Sequence, residues 1–130
     1  MNLLLDTHIW LWASLDPHRL TPRAQAELEN TKSNLHISAL SWWEFLLAHR
    51  KGRLQIEGDP IFWGRQSIHR LGLQVLPITE EIAIQAEHLP GFERQDPGDR
   101  FIIATARVHG FPLVTADEWI LRWSGVETIW

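Results

Sequence analysis

An α/β fold, with a mainly parallel sheet of four to five strands and helices on both faces, is predicted by three features of the sequence. Short apolar runs alternate with longer helical segments along the whole chain, the pattern of a parallel sheet joined by helical crossovers. Capping and turn residues stand at most boundaries between them. No internal repeat, low-complexity tract or long linker interrupts the 130 residues, so a single domain over residues 1–130 with one core is the economical reading.

The elements follow in order. Leu3 to Leu5 is a short buried strand, and Thr7 to Leu15 reads as a helix ended by Asp16-Pro17. Thr21-Pro22 supplies an N-cap and a first-turn proline for a helix to about Asn30. Leu35 to Ser38 is the second strand, followed by a helix from about Leu40 to Lys51 with Gly52 at its end. Asp59-Pro60 opens a helix that runs through Leu71 and stops at Gly72. Leu73 to Leu76 is the third strand, and Thr79 caps a helix holding Ile82, Ala83 and Ala86. After the break at Pro90-Gly91, a helix spans Pro97 to His109, with Gly110 as its stop. Leu113 to Ala116 is the fourth strand, Glu118 to Trp123 a short helix, and Val126 to Trp130 an edge strand.

Composition narrows the chemistry. Cysteine is absent, which excludes disulfides and thiolate metal sites and fits a reducing compartment; a cytoplasmic location is expected. The amino terminus enters a strand at once, without a secretory pattern, and no window reaches the length of a membrane span. A formal charge of -4 does not advertise a nucleic-acid binder. That average conceals acids which bound cations would neutralise, leaving the arginines as the net surface charge.

Four acids carry the functional signal. Asp6 ends the first strand, Asp117 ends the fourth, Asp99 stands at the start of the Pro97 helix, and Glu44 lies inside Trp42-Trp43-Glu44-Phe45. In an open parallel sheet, functional groups gather beyond the carboxyl ends of the strands, where residues distant in sequence meet. Each aspartate also has an ordinary reading as a helix cap or a dipole partner. Glu44 does not. Its helical neighbours are Leu40, Leu47 and Ala48, so its carboxylate shares an apolar face and needs a partner there. A hard cation shared with the three aspartates supplies one, and carboxylates without cysteine suit Mg2+ or Mn2+. The seven histidines show no zinc spacing, and neither a phosphate-binding glycine loop nor a Gly-x-Ser-x-Gly elbow is present.

Four segments, in this order, resemble the PIN-domain ribonuclease toxins of VapC type: Leu3-Leu4-Leu5-Asp6-Thr7-His8, Ile37-Ser38-Ala39-Leu40-Ser41-Trp42-Trp43-Glu44, Asp96-Pro97-Gly98-Asp99-Arg100-Phe101-Ile102-Ile103-Ala104-Thr105-Ala106, and Leu113-Val114-Thr115-Ala116-Asp117. The resemblance covers nearly the whole chain. It implies a three-layer α/β/α fold and a Mg2+- or Mn2+-dependent endoribonuclease that hydrolyses RNA phosphodiester bonds with metal-activated water. It also implies a homodimer and inhibition by a separately encoded antitoxin. Carried over by motif, Asp6, Glu44, Asp99 and Asp117 are the catalytic and metal-site acids. Thr7 and Thr115 are expected to orient carboxylates, and Asp96 to stand just outside the metal's ligands. The chain departs from the family pattern at Gly98, where a bulky residue is common, and at Arg94, where a histidine is common.

Basic and aromatic residues complete the expectation. Arg100 is a candidate phosphate contact, with a structural salt bridge as its alternative. Arg50-Lys51-Gly52-Arg53 is either an RNA-backbone patch or a helix end complementing its dipole. Among eight tryptophans, Trp10 and Trp12, like Trp42 and Trp43, are spaced so that each pair points to different helix faces. Some of these rings are therefore expected at an interface with another chain or a nucleobase, with Trp63 and Trp119 in the core. Two other functions compete: a non-catalytic PIN-like RNA- or protein-binding module, and a phosphotransfer enzyme using Asp6 as nucleophile. The second usually carries another aspartate two residues on, where this chain has His8.

Overall fold

Period-two alternation along the strands divides the core between two faces of one sheet. Leu3 and Leu5 point into a cluster with Ile9, Trp10, Ala24, Leu35, Ile37 and Phe45, while Leu4 points the other way, to Ile102, Ile103, Ala106, Leu113 and Ile120. With both faces covered, the strands read as continuous apolar runs rather than alternating ones.

The computed structural model describes residues 1–130. Its strands are β1 (Asn2–Leu5), β2 (Asn34–Ser38), β3 (Leu73–Leu76), β4 (Leu113–Val114) and β5 (Thr128–Ile129). They lie side by side in the order β3-β2-β1-β4-β5, with every neighbouring pair parallel. The helices are α1 (Thr7–Leu15), α2 (Pro22–Glu29), α3 (Ala39–Arg50), α4 (Pro60–Leu71), α5 (Glu80–Ala86), α6 (Pro97–His109) and α7 (Glu118–Arg122). Residues of α1 to α4 cover one face, and α6 and α7 the other, with α5 packed on α6 through Ile82, Ala86 and Ala104. This is the expected three-layer arrangement, and no helix is long and apolar enough to cross a membrane.

Local chemistry sets the boundaries. Thr21, Asp59 and Thr79 each accept a backbone N–H at the first turn of α2, α4 and α5. Gly72 and Gly110 close α4 and α6 at φ of 66° and 70°, a left-handed conformation that glycine adopts without strain. The fourth strand is shorter than expected, ending at Val114 instead of Ala116. Thr115 still donates its N–H to the Ile129 carbonyl at 3.2 Å, and pairing stops at Ala116, whose N–H turns to His8 Nε2. The edge strand likewise shrinks to Thr128–Ile129, and α7 ends at Arg122 because Trp123 is extended.

The tryptophans sort differently from the expectation. Trp10 is fully buried, T-shaped against Phe45 at 5.4 Å, with its indole N–H donated to Ser67 at 3.0 Å. Trp12, Trp42 and Trp63 all pack partly against the same cluster. Trp10 and Trp12 thus share one core despite their spacing, because α1 lies deep enough for α3, α4 and the C-terminal Trp130 to wrap around it. Trp43 is 58% exposed and so is Trp119, at 60%, which places Trp119 outside the core expected for it.

Gly64 on α4 shows how tight this aromatic packing is. A Cβ there would run into the ring of Trp42. Replacing glycine by alanine within a helix normally stabilises by about 1 kcal/mol; overpacking a filled core costs about 1–3 kcal/mol. The second effect should win, so Gly64→Ala is expected to lower the urea midpoint, and a raised midpoint would show that Trp42 yields freely.

Candidate active site

The strand order reverses between β1 and β4, since the chain proceeds outward from β1 through β2 to β3 and then returns to β4 on the other side. The carboxyl ends of β1 and β4 therefore flank the switch point, the crevice where open parallel sheets hold ligands. Asp6 follows β1 directly and Thr115-Ala116-Asp117 follows β4, with the Asp6 N–H bonded to the Val114 carbonyl at 2.9 Å. The α3 helix brings Glu44 and the start of α6 brings Asp99 to the same edge. Burial and charge tie them together: Glu44 feels Asp6 and Asp96, and Asp99 feels Asp6, Asp96 and Asp117.

Hydroxyls and backbone amides position these carboxylates. Asp6, 4% exposed, accepts the Thr7 N–H at 2.8 Å on Oδ1 and the Thr115 hydroxyl at 2.7 Å on Oδ2. Thr115 Oγ1 in turn accepts the Asp117 N–H at 3.1 Å, which links the acids after β1 and β4 through one hydroxyl. The Thr7 hydroxyl does not reach Asp6. It donates to Glu44 Oε1 at 2.5 Å and accepts from Ser41 Oγ at 2.8 Å, so the orienting bond on Asp6 comes from the backbone of Thr7 and the one on Glu44 from its side chain. Asp96 is exposed and caps α6 by accepting the Asp99 N–H at 3.1 Å.

Gly98 is buried because Glu44 lies over it. A Cβ at that position would collide with Glu44 Oε2 and stand 3.1 Å from Asp96 Oδ1. The departure from the family pattern at this position thus makes room for the Glu44 carboxylate.

Arginine geometry corrects one expectation. Arg100, expected at a phosphate or in a salt bridge, instead donates Nε to the Ala86 carbonyl at 2.8 Å and Nη1 to the carbonyls of Phe92 and Arg94 at 3.0 and 2.9 Å. It is occupied in fastening the loop before α6. Arg94 is the arginine at the acids: its Nη1 donates to Asp117 Oδ1 at 3.1 Å and Oδ2 at 2.9 Å, and its Nη2 stands 3.4 Å from Asp99 Oδ2. Three participants were not singled out as site residues from sequence. Ser41 was discoverable as the residue three before Glu44 on one helix face. His8 accepts the Ala116 N–H on Nε2 at 3.0 Å, which leaves the proton on Nδ1, 3.6 Å from Asp6 Oδ2. Arg94 was visible only as a departure from a pattern. The basic run Arg50-Lys51-Gly52-Arg53 is exposed at the end of α3.

Electrostatics mark this edge as short of positive charge. Burial pushes Glu44 above its ordinary value; the Thr7 hydrogen bond opposes that rise, and Asp6 and Asp96 add to it. Asp99 is pushed up to about 7, first by burial, then by Asp6, Asp96 and Asp117, with Arg94 pulling the other way. Asp99 Oδ2 is buried without a hydrogen-bond partner. As the side chains stand, no three of the acidic or imidazole groups converge on one point as a ready cage.

The PIN-domain family model matches residues 3–124. The chain belongs to the PIN-domain family. It is 35% identical over 116 residues to Ribonuclease VapC22 of Mycobacterium tuberculosis, covering 89% of this chain and 87% of that protein. In fold it is similar to the crystal structure of VapBC2 from Rickettsia felis bound to a DNA fragment from their promoter, with a TM-score of 0.72 at 17% identity over 98% of this chain and 97% of that one. It is also similar to a toxin-antitoxin complex from Klebsiella pneumoniae, with a TM-score of 0.67 at 22% identity over 95% and 94% of the two chains.

The raised Asp99 value has a consequence for metal-free protein. A carboxyl that holds its proton to higher pH when folded than when unfolded leaves the folded state with more protons through the interval between the two values. Stability from this group is full below the unfolded value and is lost as pH rises through about 7. Asp99→Asn is therefore expected to raise the metal-free melting temperature above neutrality and to flatten its fall between about pH 4 and pH 7. Identical pH profiles for variant and wild type would remove Asp99 as the source of that slope.

Proposed function

We propose that the chain is a divalent-metal-dependent endoribonuclease, the toxin of a toxin-antitoxin pair, with residues 1–130 acting as one catalytic unit. The observation that supports this reading is the gathering of Asp6, Glu44, Asp99 and Asp117 along the switch-point edge of a parallel sheet, near enough to perturb one another's charge, with a buried, unpartnered oxygen on Asp99. The likeness to Ribonuclease VapC22 supports the reaction class.

The donor set fits Mg2+ or Mn2+. It offers only oxygen, several formal negative charges, and carboxylates whose shared repulsion a cation would relieve. Asp6, Glu44, Asp99 and Asp117 would hold the ion. Bound there, a divalent cation supplies Lewis acidity toward the phosphodiester and lowers the pKa of water. The chain's own residues do the positioning. Thr7 and Thr115 hold Glu44 and Asp6 by hydrogen bonds from their hydroxyls, which restrict the rotamers the two carboxylates adopt. Asp96 keeps the first turn of α6 closed, so that Asp99 faces the edge. Glu44, held at Oε1 by the Thr7 hydroxyl, would present its carboxylate to the ion, which would relieve the cost of burying that charge. His8, with its Nε2 held by the Ala116 amide, walls the site beside Asp6.

The partners assigned on this reading are RNA as substrate, an antitoxin protein and a second copy of the chain. The neighbouring structures that contain an antitoxin support the second, and the exposed rings of Trp43 and Trp119 offer aromatic surface for such contacts. The phosphotransfer alternative lacks support at Asp6, whose two oxygens both accept hydrogen bonds in a buried setting.

Mg2+ or Mn2+ is expected to raise the melting temperature of the metal-free protein and to switch on cleavage of single-stranded RNA, with chelator abolishing both. Asp99→Asn should remove cleavage by a hundredfold or more on the scale of losing a key electrostatic group, with the circular dichroism spectrum preserved. Wild-type cleavage rates in chelator, or in the Asp99 variant, would overturn the assignment.

A further inference from the structure

Arg94 is the one arginine that contacts any of the four acids, and it meets two of them at once. We propose that Arg94 is a resident cation of the acidic centre, which holds Asp117 and Asp99 until a divalent ion displaces it and so sets how tightly that ion binds. The inference rests on the metal reading above and concerns a positioning residue that the motifs do not assign.

The oxygens of Asp117 are unevenly loaded. Oδ1 accepts the N–H of Trp119 at 2.9 Å and of Ile120 at 3.3 Å as the cap of α7, besides Arg94 at 3.1 Å. Oδ2 accepts only from Arg94, at 2.9 Å. An ion reaching Asp117 therefore has Oδ2 as its open ligand, the oxygen that Arg94 contacts more closely. On Asp99 the same guanidinium stands 3.4 Å from Oδ2, the buried oxygen with no hydrogen bond of its own. Two cations cannot share so small a space without strong repulsion, because burial weakens the screening that water would supply. A guanidinium also keeps its charge at every working pH, so it leaves by moving and never by losing a proton. An imidazole at this position, common in the family pattern, has the second option.

The surroundings permit that movement. The backbone of Arg94 is tethered by Arg100, whose Nη1 donates to the Phe92 and Arg94 carbonyls, while the Arg94 side chain remains one-third exposed. Its Cζ lies 5.9 Å from the centroid of Trp119, a ring 60% exposed beside Asp117. That ring face is an alternative seat for the displaced guanidinium through cation–π attraction. The tether holds the base of the side chain, and the tryptophan offers its head somewhere to go.

Titration calorimetry of the full chain with MnCl2 tests the proposal in wild type, Arg94→Gln and Arg94→Lys. Loss of the competing charge should tighten Mn2+ binding by about tenfold or more in Arg94→Gln, on the scale by which groups beside metal ligands shift affinity. Arg94→Lys, which keeps the charge without the fork, should fall between the two. The same competition is readable in wild type without any variant: the Arg94 Nε–Hε resonance should shift as MgCl2 is added and saturate with binding. Equal or weaker Mn2+ affinity in a folded Arg94→Gln, or an Arg94 resonance unmoved at saturating Mg2+, overturns the proposal while leaving the metal site standing. No binding by any of the three proteins overturns the metal reading and the role of Arg94 together.

Discussion

The site is governed by the cost of gathering negative charge at the edge of a dry sheet. Asp6 is almost fully buried, Glu44 and Asp99 are substantially so, and the charges of Asp6 and Asp96 raise the proton affinity of both. Such an arrangement persists only if something offsets the repulsion. Here the offset is divided among backbone amides at Asp6 and Asp117, threonine hydroxyls on both sides of β1, and one guanidinium between Asp99 and Asp117. What remains unmet is concentrated on Asp99, the residue with the buried lone oxygen. On the proposed reading, a divalent cation would meet that remainder.

The same constraint explains details that look unrelated. Gly98 is small because the Glu44 carboxylate occupies the volume a side chain would fill. Pairing beyond the fourth strand stops at Ala116 because its N–H turns from the ladder to His8, beside Asp6. Arg100 spends its donors on three carbonyls, holding the loop from which Arg94 reaches the acids. Each trades regular structure or packing freedom for control of a carboxylate. In the proposed reaction that control is valuable, because donors set before substrate arrives need no reorganisation while charge develops.

Secondary structure was legible because local rules and tertiary packing agree. The α1 and α6 bounds, Thr7–Leu15 and Pro97–His109, match those read from the sequence, since aspartate, proline and glycine mark their ends by capping and fixed backbone preferences. The parallel sheet followed from alternation of short apolar runs with helices. The four acids stand in the sequence after strands, at a helix start or inside an apolar helix face, and the fold carries them to one edge of the sheet. Sequence alone placed the ends of β4 and β5 too far out; after β4 the Ala116 amide turns to a His8 nitrogen that only folding brings near.

Aromatic placement and arginine geometry were decided only by the tertiary structure. Helical spacing shows that Trp10 and Trp12 diverge, but it contains nothing about how far α3, α4 and Trp130 wrap around α1, so two diverging rings meet one core. Trp119, read as core, is outside because α7 is a single short turned segment whose buried face is filled by Ile120. Arg100 stands next to Asp99 in sequence, yet Arg94, five residues away, is the one that reaches it. The sequence by itself determined the elements, their order and the acids at their ends, because those follow from local periodicity and capping. Which cation meets which carboxylate was decided in three dimensions, because a long flexible side chain is directed by acceptors from other elements, and linear spacing does not record them.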